Sequence, residues 1–288
     1  MNKRASGVLM HITSLPGDYG IGSFGQAAYD FVDFLKETKQ TYWQILPLTT
    51  TSYGDSPYQS FSAVAGNTHF IDLDFLIRDK FLTKADVKDA DFGSDPEFID
   101  YAKVYEARRP ILEKAVKAIL ADKKEAKKFQ AFKTKNANWL ADYAEFKEHF
   151  DNKALQDWDD KKAVKRDKAT LAKLRRELAE VINYHEVVQY LFFSQWAELK
   201  AYANENGIQI IGDMPIYISA DSVEVWTQPH LFKLDAECKP RYIAGVPPDN
   251  FSATGQLWGN PIYAWDKHKA ENYAWWVFRM YPRIIQTL

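Results

Sequence analysis

Three short apolar runs, each containing or closely followed by a proline, constrain the fold of this chain more than any other feature. They are "GVLMHITS" at 7–14, "YWQILPL" at 42–48 and "IQIIGDMPIYI" at 208–218. Such runs are typical of strands buried in a sheet. The segment 23–39 lies between the first two runs and has apolar residues at helical spacing. The order strand, helix, strand predicts a parallel sheet.

The segments between the runs predict helices and a division of the chain. From about 76 to 169 the sequence is rich in Lys, Asp and Ala with helical periodicity, which predicts a helical insertion after the second strand. A single long helix is expected over 170–206, ending at Gly207, and "HFIDLDFL" at 69–76 is expected to be extended. The predicted parts are 1–75 with two strands and a loop, 76–169 with the inserted helices, and 170–288 with a helix, the third strand, a long loop and a last helix.

This order of elements predicts an α/β fold and leaves two architectures open. One is a doubly wound sheet, and the other is the first part of a (β/α)8 barrel. A complete barrel needs about 250 residues before insertions, and the insertion takes much of this chain. Three strands would therefore form only part of a barrel.

Composition and charge exclude several classes of function. The net charge of -2 gives no electrostatic reason to bind nucleic acid or an anionic membrane. No stretch approaches the roughly 18 apolar residues of a membrane span. Cys238 is the single cysteine and forms no internal disulfide, so a reducing, cytoplasmic location is expected. The six histidines are scattered without metal-ligand spacing, so we expect neither a metal nor a cofactor.

The segment "GIGSFG" at 20–25 raises the alternative of a dinucleotide-dependent oxidoreductase. In a dinucleotide fold these glycines follow the first strand directly, and an acid at the end of the second strand binds the ribose. Here several residues intervene, and the second run continues as "LPLTT" without an acid. The motif alone therefore gives this alternative little support.

Acids and aromatic residues cluster in the segments that follow the three predicted strands. The carboxyl ends of parallel strands meet on one face, where α/β proteins bind ligands. Carboxylate acceptors beside flat rings suit a carbohydrate better than a phosphate. For Asp55 and Asp221, helix capping or a local turn is the preferred explanation. The candidates are Asp55, Asp213, Asp221 and Asp249, with Tyr53, Tyr58, Trp226 and Trp258.

The same segments resemble a known family. "SGVLMHITSLPGDYGIGSFG", "WQILPLTTTSYGDSPYQSFSAVAGN", "IIGDMPIYISADSVEVW" and "GVPPDNFSATGQLWGNPIYAW" are similar to the 4-α-glucanotransferases, also called amylomaltases or disproportionating enzymes, of glycoside hydrolase family 77. The resemblance implies about three βα units from the N-terminal part of a (β/α)8 barrel, with the helical insertion after strand 2. It also implies transfer of α-1,4-glucan segments from maltooligosaccharides, starch or glycogen to the 4-hydroxyl of an acceptor sugar.

The resemblance further implies a role for individual residues. Tyr58 would stack on the sugar at the cleavage point, and Asp213 would bind that same sugar. The acceptor side would be shaped by the loop 247–258. The substrate-binding residues implied are Ser56, Tyr58, Asp213, Asp249, Gln256 and Trp258, with Tyr53 at a secondary glucan site.

The catalytic carboxylates of the family have no counterpart in residues 1–288. The nucleophilic Asp and the acid/base Glu are expected after Leu288, so this chain would be the N-terminal portion of a longer enzyme and inactive alone. Its uncovered sheet edges would favour self-association. A non-catalytic α-glucan-binding module is the alternative from a different functional class.

Overall fold

The computed structural model of the protein describes residues 4–51, 53–149 and 155–284. Its central feature is a parallel sheet of three strands in the order β1-β2-β3, in which Val8 lies opposite Trp43 and Trp43 opposite Ile210. The predicted α/β class with a parallel sheet is therefore confirmed. A separate antiparallel pair, β4 and β5, follows later in the chain. The strands are β1 (Gly7–Leu9), β2 (Tyr42–Gln44), β3 (Gln209–Ile211), β4 (Ile243–Val246) and β5 (Gln256–Pro261).

The three parallel strands are shorter than the apolar runs predict. After β1 the backbone turns into a 3-10 helix at Ile12–Ser14. After β2 one further bond, from the Ile45 N–H to the Ile211 carbonyl at 2.9 Å, extends the pairing. The remaining apolar residues of each run, such as Ile12 and Ile218, are buried in connections instead of strands. These connections form the candidate site.

Helices occur before, within and after the predicted insertion. The inserted segment is helical, as predicted, and its longest helices pack on α9 (Ala179–Glu205). No helix within the described ranges is long and apolar enough to cross a membrane. The helices are α1 (Gln26–Glu37), α2 (Leu73–Arg78), α3 (Lys84–Val87), α4 (Tyr101–Ala121), α5 (Lys123–Lys135), α6 (Leu140–His149), α7 (Lys161–Val164), α8 (Lys168–Glu177), α9 (Ala179–Glu205), α10 (Val223–Thr227), α11 (Trp265–Ala270) and α12 (Ala274–Ile284).

Three predictions of secondary structure are wrong. The long loop expected before the last helix contains α10, the β4–β5 hairpin and α11. The stretch 69–76 is not extended, because Asn67 caps a 3-10 turn and Asp72 caps α2 by accepting the Phe75 N–H at 2.8 Å. The helix expected over 170–206 is two helices. The backbone of Leu178, at φ −104° and ψ 16°, ends α8 and begins α9.

The glycines of "GIGSFG" serve packing against neighbouring backbone and side chains. A Cβ on Gly22 would lie 1.9 Å from the Ile12 carbonyl oxygen. At the N-terminus of α1, the Asp72 carboxylate accepts a hydrogen bond from Ser23 Oγ at 2.7 Å. A carboxylate at this position disfavours a pyrophosphate, so the arrangement gives the dinucleotide alternative no support.

Candidate functional site

The loop after β2 is anchored at its base by α9. Thr49 and Gly66 pair across this base, and the buried amide of Gln189 accepts the Gly66 N–H at 2.8 Å and donates to the Gly66 carbonyl at 2.9 Å. A Cβ on Gly66 would lie 2.1 Å from the Phe192 ring, so only glycine allows this approach. The loop is therefore held at a fixed position relative to the sheet.

Tyr58 and Asp213 meet at the carboxyl end of the sheet. Tyr58 Oη donates to Asp213 Oδ2 at 2.6 Å, a short bond to a charged acceptor. This bond, together with partial burial, raises the pKa of Tyr58 to about 12. Asp213 follows β3 by two residues and is half-buried, while 44% of Tyr58 is exposed. Ser56 lies beside the pair, because its Oγ accepts the Tyr58 N–H at 3.3 Å.

The β4–β5 hairpin brings two further predicted residues to the same place. Trp258 Nε1 donates to Gln256 Oε1 at 2.9 Å, and 41% of the tryptophan is exposed. Gln59, next to Tyr58, reaches the Trp258 carbonyl at 3.5 Å. The ring of Tyr217 lies 6.1 Å from that of Trp258. Sequence reasoning missed Gln59 and Tyr217, although both lie in segments singled out for the site.

Asp249 organises its own loop in the structure. Its Oδ1 accepts the N–H groups of Phe251 and Ser252, both at 2.8 Å. Its hydrogen bonds among the described residues are to Phe251 and Ser252, and none reaches Tyr58 or Asp213. Its position as a sugar contact stays a prediction, whereas its role in turning the chain between β4 and β5 is directly visible.

The remaining candidates lie elsewhere or serve other purposes. Asp55 accepts a bond from Tyr105 Oη at 2.9 Å, and Asp221 accepts one from Ser219 Oγ, two residues earlier. Neither bond is a helix cap, whereas the Asp221 bond agrees with the expected alternative of a local turn. Trp226 is wrongly predicted at the site. It is 1% exposed and donates to the Ala163 carbonyl at 3.0 Å, since α10 turns it into a core formed with the inserted helices. The side chain of Tyr53 lies outside the described residues.

Three buried side chains that sequence reasoning missed hold the segment after Asp213. Arg279 Nη2 donates to the Pro215 carbonyl at 2.7 Å, Tyr263 Oη to that of Ile216 at 2.7 Å, and Asn260 Nδ2 to that of Ile218 at 2.8 Å. Asn260 and Tyr263 belong to the quoted segment "GQLWGNPIYAW". Their polar side chains in this segment could have indicated a role near the site. Arg279 is an ordinary helical residue by its sequence.

The chemistry of this arrangement suits a ligand rich in hydroxyl groups. It offers a carboxylate and an amide oxygen as acceptors, together with two partly exposed rings that can lie against apolar C–H faces. In the described part of the chain, no three His, Cys, Asp or Glu side chains are grouped so that they could hold a metal ion.

Comparison with known proteins relates this geometry to one family. A family model described as 4-alpha-glucanotransferase matches residues 10–284. The 4-alpha-glucanotransferase of Streptococcus pneumoniae is 58% identical over 283 residues, covering 97% of this chain and 56% of the relative. That of Thermus thermophilus is 45% identical over 281 residues, covering 96% of this chain and 55% of the relative. The chain thus spans about half the length of these curated relatives.

Solved structures similar to this chain include two amylomaltases. Amylomaltase from Streptococcus agalactiae, solved in complex with acarbose, is 61% identical with a TM-score of 0.96, covering 99% of this chain and 58% of that one. Amylomaltase from Corynebacterium glutamicum has a TM-score of 0.71 at 17% identity, covering 98% of this chain and 40% of that one, which supports the fold alone.

Proposed function

This chain belongs to the 4-alpha-glucanotransferase family, and on that premise we propose that its site binds α-1,4-glucans during glucan transfer. The donor is a maltooligosaccharide, starch or glycogen, and the acceptor is the 4-hydroxyl of another sugar. The observation that carries the proposal is the Tyr58–Asp213 bond at the carboxyl end of the sheet. There, an acceptor for sugar hydroxyls lies beside a partly exposed ring.

Asp213 serves in this proposal as an acid that binds sugar hydroxyls. Retaining transfer uses a carboxylate nucleophile and a carboxylic acid/base about 5–5.5 Å apart. Among the described residues, Asp213 is bonded to Tyr58, and Asp249 is engaged by its own loop. The family resemblance puts both catalytic carboxylates after residue 288. Residues 1–288 alone are therefore proposed to bind glucan without transferring it.

The other contacts divide between the two sides of the cleavage point. Trp258 and Gln256 form the acceptor side, with Asp249 in the loop that leads to them. Ser56 supports Tyr58 and faces the same sugar. Tyr53 contributes to a secondary glucan site, a role that rests on the family resemblance.

We also propose that β1, β2 and β3 are the first three strands of a (β/α)8 barrel. Support comes from their parallel order and from the helical segment 76–169 after β2. Within the described sheet, β1 and β3 each have one unpaired edge, with Leu9 and Ile211 at 55% and 42% exposure. Unpaired edges with exposed apolar residues favour self-association of this chain.

Calorimetric titration with maltotetraose tests the binding proposal. We expect binding by the chain, and a loss of at least tenfold in affinity for Asp213→Asn, because the amide is a poorer acceptor for sugar hydroxyls. Asp266→Asn, at an exposed acid on α11, is the matched control and should bind like the unaltered chain. Unchanged affinity in Asp213→Asn would contradict the site assignment.

Incubation with maltotriose tests the absence of transfer. Glucose release by the chain should not exceed that of a buffer blank. Sustained release would show that the catalytic groups lie within residues 1–288.

A further inference from the structure

Two buried, oppositely charged side chains, Glu224 and Arg279, contact the two loops that form the candidate site. Glu224 is 6% exposed and lies on α10, whereas Arg279 is 2% exposed and lies on α12. Arg279 lies outside the segments expected to bind sugar, and Glu224 lies between the candidates Asp221 and Trp226 without being a candidate itself. A buried charge is costly unless hydrogen bonds or an opposite charge compensate it, so its contacts indicate its purpose.

Glu224 holds the loop that carries Tyr58. Its Oε1 accepts the Ala63 N–H at 2.7 Å and the Ser62 hydroxyl at 3.1 Å. One residue earlier, the Val223 N–H donates to the Phe61 carbonyl at 2.8 Å. The start of α10 is thus bonded to the loop within five residues of Tyr58.

Arg279 holds the segment that carries Asp213. Its guanidinium donates to the Pro215 carbonyl, two residues after Asp213, and lies 4.6 Å from the centre of the Trp275 ring. Arg279 and Asp213 also line one small cavity of about 190 Å³. A change in the position of this guanidinium therefore acts on the backbone next to Asp213.

The two charges act on each other. Burial raises the pKa of Glu224, and the positive charge of Arg279 opposes that rise. Burial lowers the pKa of Arg279, and the negative charge of Glu224 opposes that fall. Each group therefore favours the charged form of the other.

We propose that Glu224 and Arg279 are positioning residues that together hold Tyr58 and Asp213 at hydrogen-bonding distance. Their effect on the site passes through Ala63 and Pro215, without contact with a ligand. The consequence for glucan affinity rests on the proposed function, whereas the consequence for the Tyr58–Asp213 bond does not.

The first measurement reads the Tyr58–Asp213 bond without any ligand. The chain is labelled with 13Cζ-tyrosine, the Tyr58 resonance is assigned with Tyr58→Phe, and Asp213→Asn gives the resonance of the altered bond. Glu224→Gln and Arg279→Lys should each move the Tyr58 resonance toward that of Asp213→Asn. The Tyr19 resonance should stay in place, because Tyr19 donates at 2.7 Å to Asp74, outside this network.

A matched control separates positioning from general loss of stability. Glu145 is also fully buried and pairs with Arg175 at 2.8 Å among the inserted helices. Glu145→Gln makes the same chemical change there and should leave the Tyr58 resonance unmoved. The proposal is overturned if Glu224→Gln and Arg279→Lys leave that resonance in place, or if Glu145→Gln moves it equally. If Glu224→Gln does not fold, Ser62→Ala is measured in its place. It should move the Tyr58 resonance by a smaller amount in the same direction, and an unmoved resonance would contradict the proposal.

The second measurement is maltotetraose affinity. A roughly tenfold loss is expected in Glu224→Gln and Arg279→Lys, with no change in Glu145→Gln. If the unaltered chain does not bind maltotetraose, the proposed function fails, while the Tyr58 resonance still decides whether the two residues position the pair. If the unaltered chain binds maltotetraose and both variants bind it equally well, the inferred effect on the site is wrong.

Discussion

Tyr58 and Asp213 are 155 positions apart in the sequence, and 2.6 Å separates the phenolic oxygen of one from a carboxylate oxygen of the other. The bond joins the loop after β2 to the segment after β3. The bond uses one of the two carboxylate oxygens of Asp213, and we expect the other to accept a ligand hydroxyl. Several predictions of affinity depend on this pair.

Truncation of Tyr58 in two steps separates its hydroxyl from its ring. Tyr58→Phe removes one hydrogen bond at a half-exposed site, worth about 1 kcal/mol, so maltotetraose affinity should fall about fivefold. Tyr58→Ala also removes the ring, and the loss should exceed tenfold. Calorimetric titration of both variants measures the difference. Equal affinities for the two would mean that the ring makes no contact with the sugar.

Trp258→Ala should weaken glucan binding with little effect on stability, because the side chain is 41% exposed. Phe98 provides the control, since it is 74% exposed and lies between α3 and α4. Affinity should fall in Trp258→Ala and not in Phe98→Ala. Thermal melting checks that both variants fold. A comparable loss of affinity in both would rule out a specific role for Trp258.

Gly66→Ala should destabilise the chain more than Gly207→Ala. At Gly66 a methyl group would enter the Phe192 ring, and overpacking costs about 1–3 kcal/mol. At Gly207 nothing lies within 4 Å, so the cost comes from its φ of 78° and is about 1 kcal/mol. Urea denaturation gives both free energies of unfolding. The explanation from close packing is wrong if Gly207→Ala is the more damaging change.

Acid should destabilise the fold partly through His11. Burial lowers the pKa of His11 from 6.5 to about 4. The unfolded chain therefore binds a proton between these values that the folded chain does not. The stability that the fold gains from a neutral His11 is complete above pH 6.5 and is lost as the pH falls toward 4. Because one pKa unit corresponds to about 1.4 kcal/mol, the loss at pH 4 is on the order of a few kcal/mol.

The measurement compares the free energy of unfolding of the unaltered chain and His11→Gln from pH 7 to pH 4. Carboxylates titrate in both proteins and cancel in the difference. The variant should lose less stability over this range. A constant difference between the two would mean that His11 titrates alike in the folded and unfolded states.

The open edges of β1 and β3 predict concentration-dependent assembly. Sedimentation velocity should show an average mass that rises with concentration. Leu9→Lys and Ile211→Lys together should reduce it, because charge on an edge strand opposes pairing. Phe98→Lys, at a residue 74% exposed and away from the sheet, is the control. A single monomeric species at all concentrations would contradict the prediction.

Local patterns predicted the elements of the fold better than their ends. The helix over 23–39 is present as α1, because its apolar residues recur with helical spacing. The strands are shorter than the apolar runs, since a run of buried residues looks alike in a strand and in a buried connection. The stretch 69–76 contains a 3-10 turn and the start of α2, because Asn67 and Asp72 cap these elements. The prediction of an extended segment relied on the apolar residues and overlooked the two caps.

The sequence by itself determined the order of the three parallel strands and of the helical segments between them, and with it the meeting of three loops at one face of a parallel sheet. This follows because periodicity and turn residues act over neighbouring positions. Only the tertiary structure decided which side chains in those loops come together. It placed Tyr58 in hydrogen-bonding contact with Asp213, buried Trp226 in the core, and bonded Glu224 and Arg279 to the two loops that carry the pair. Such contacts depend on packing between residues far apart in the chain, which no local pattern records.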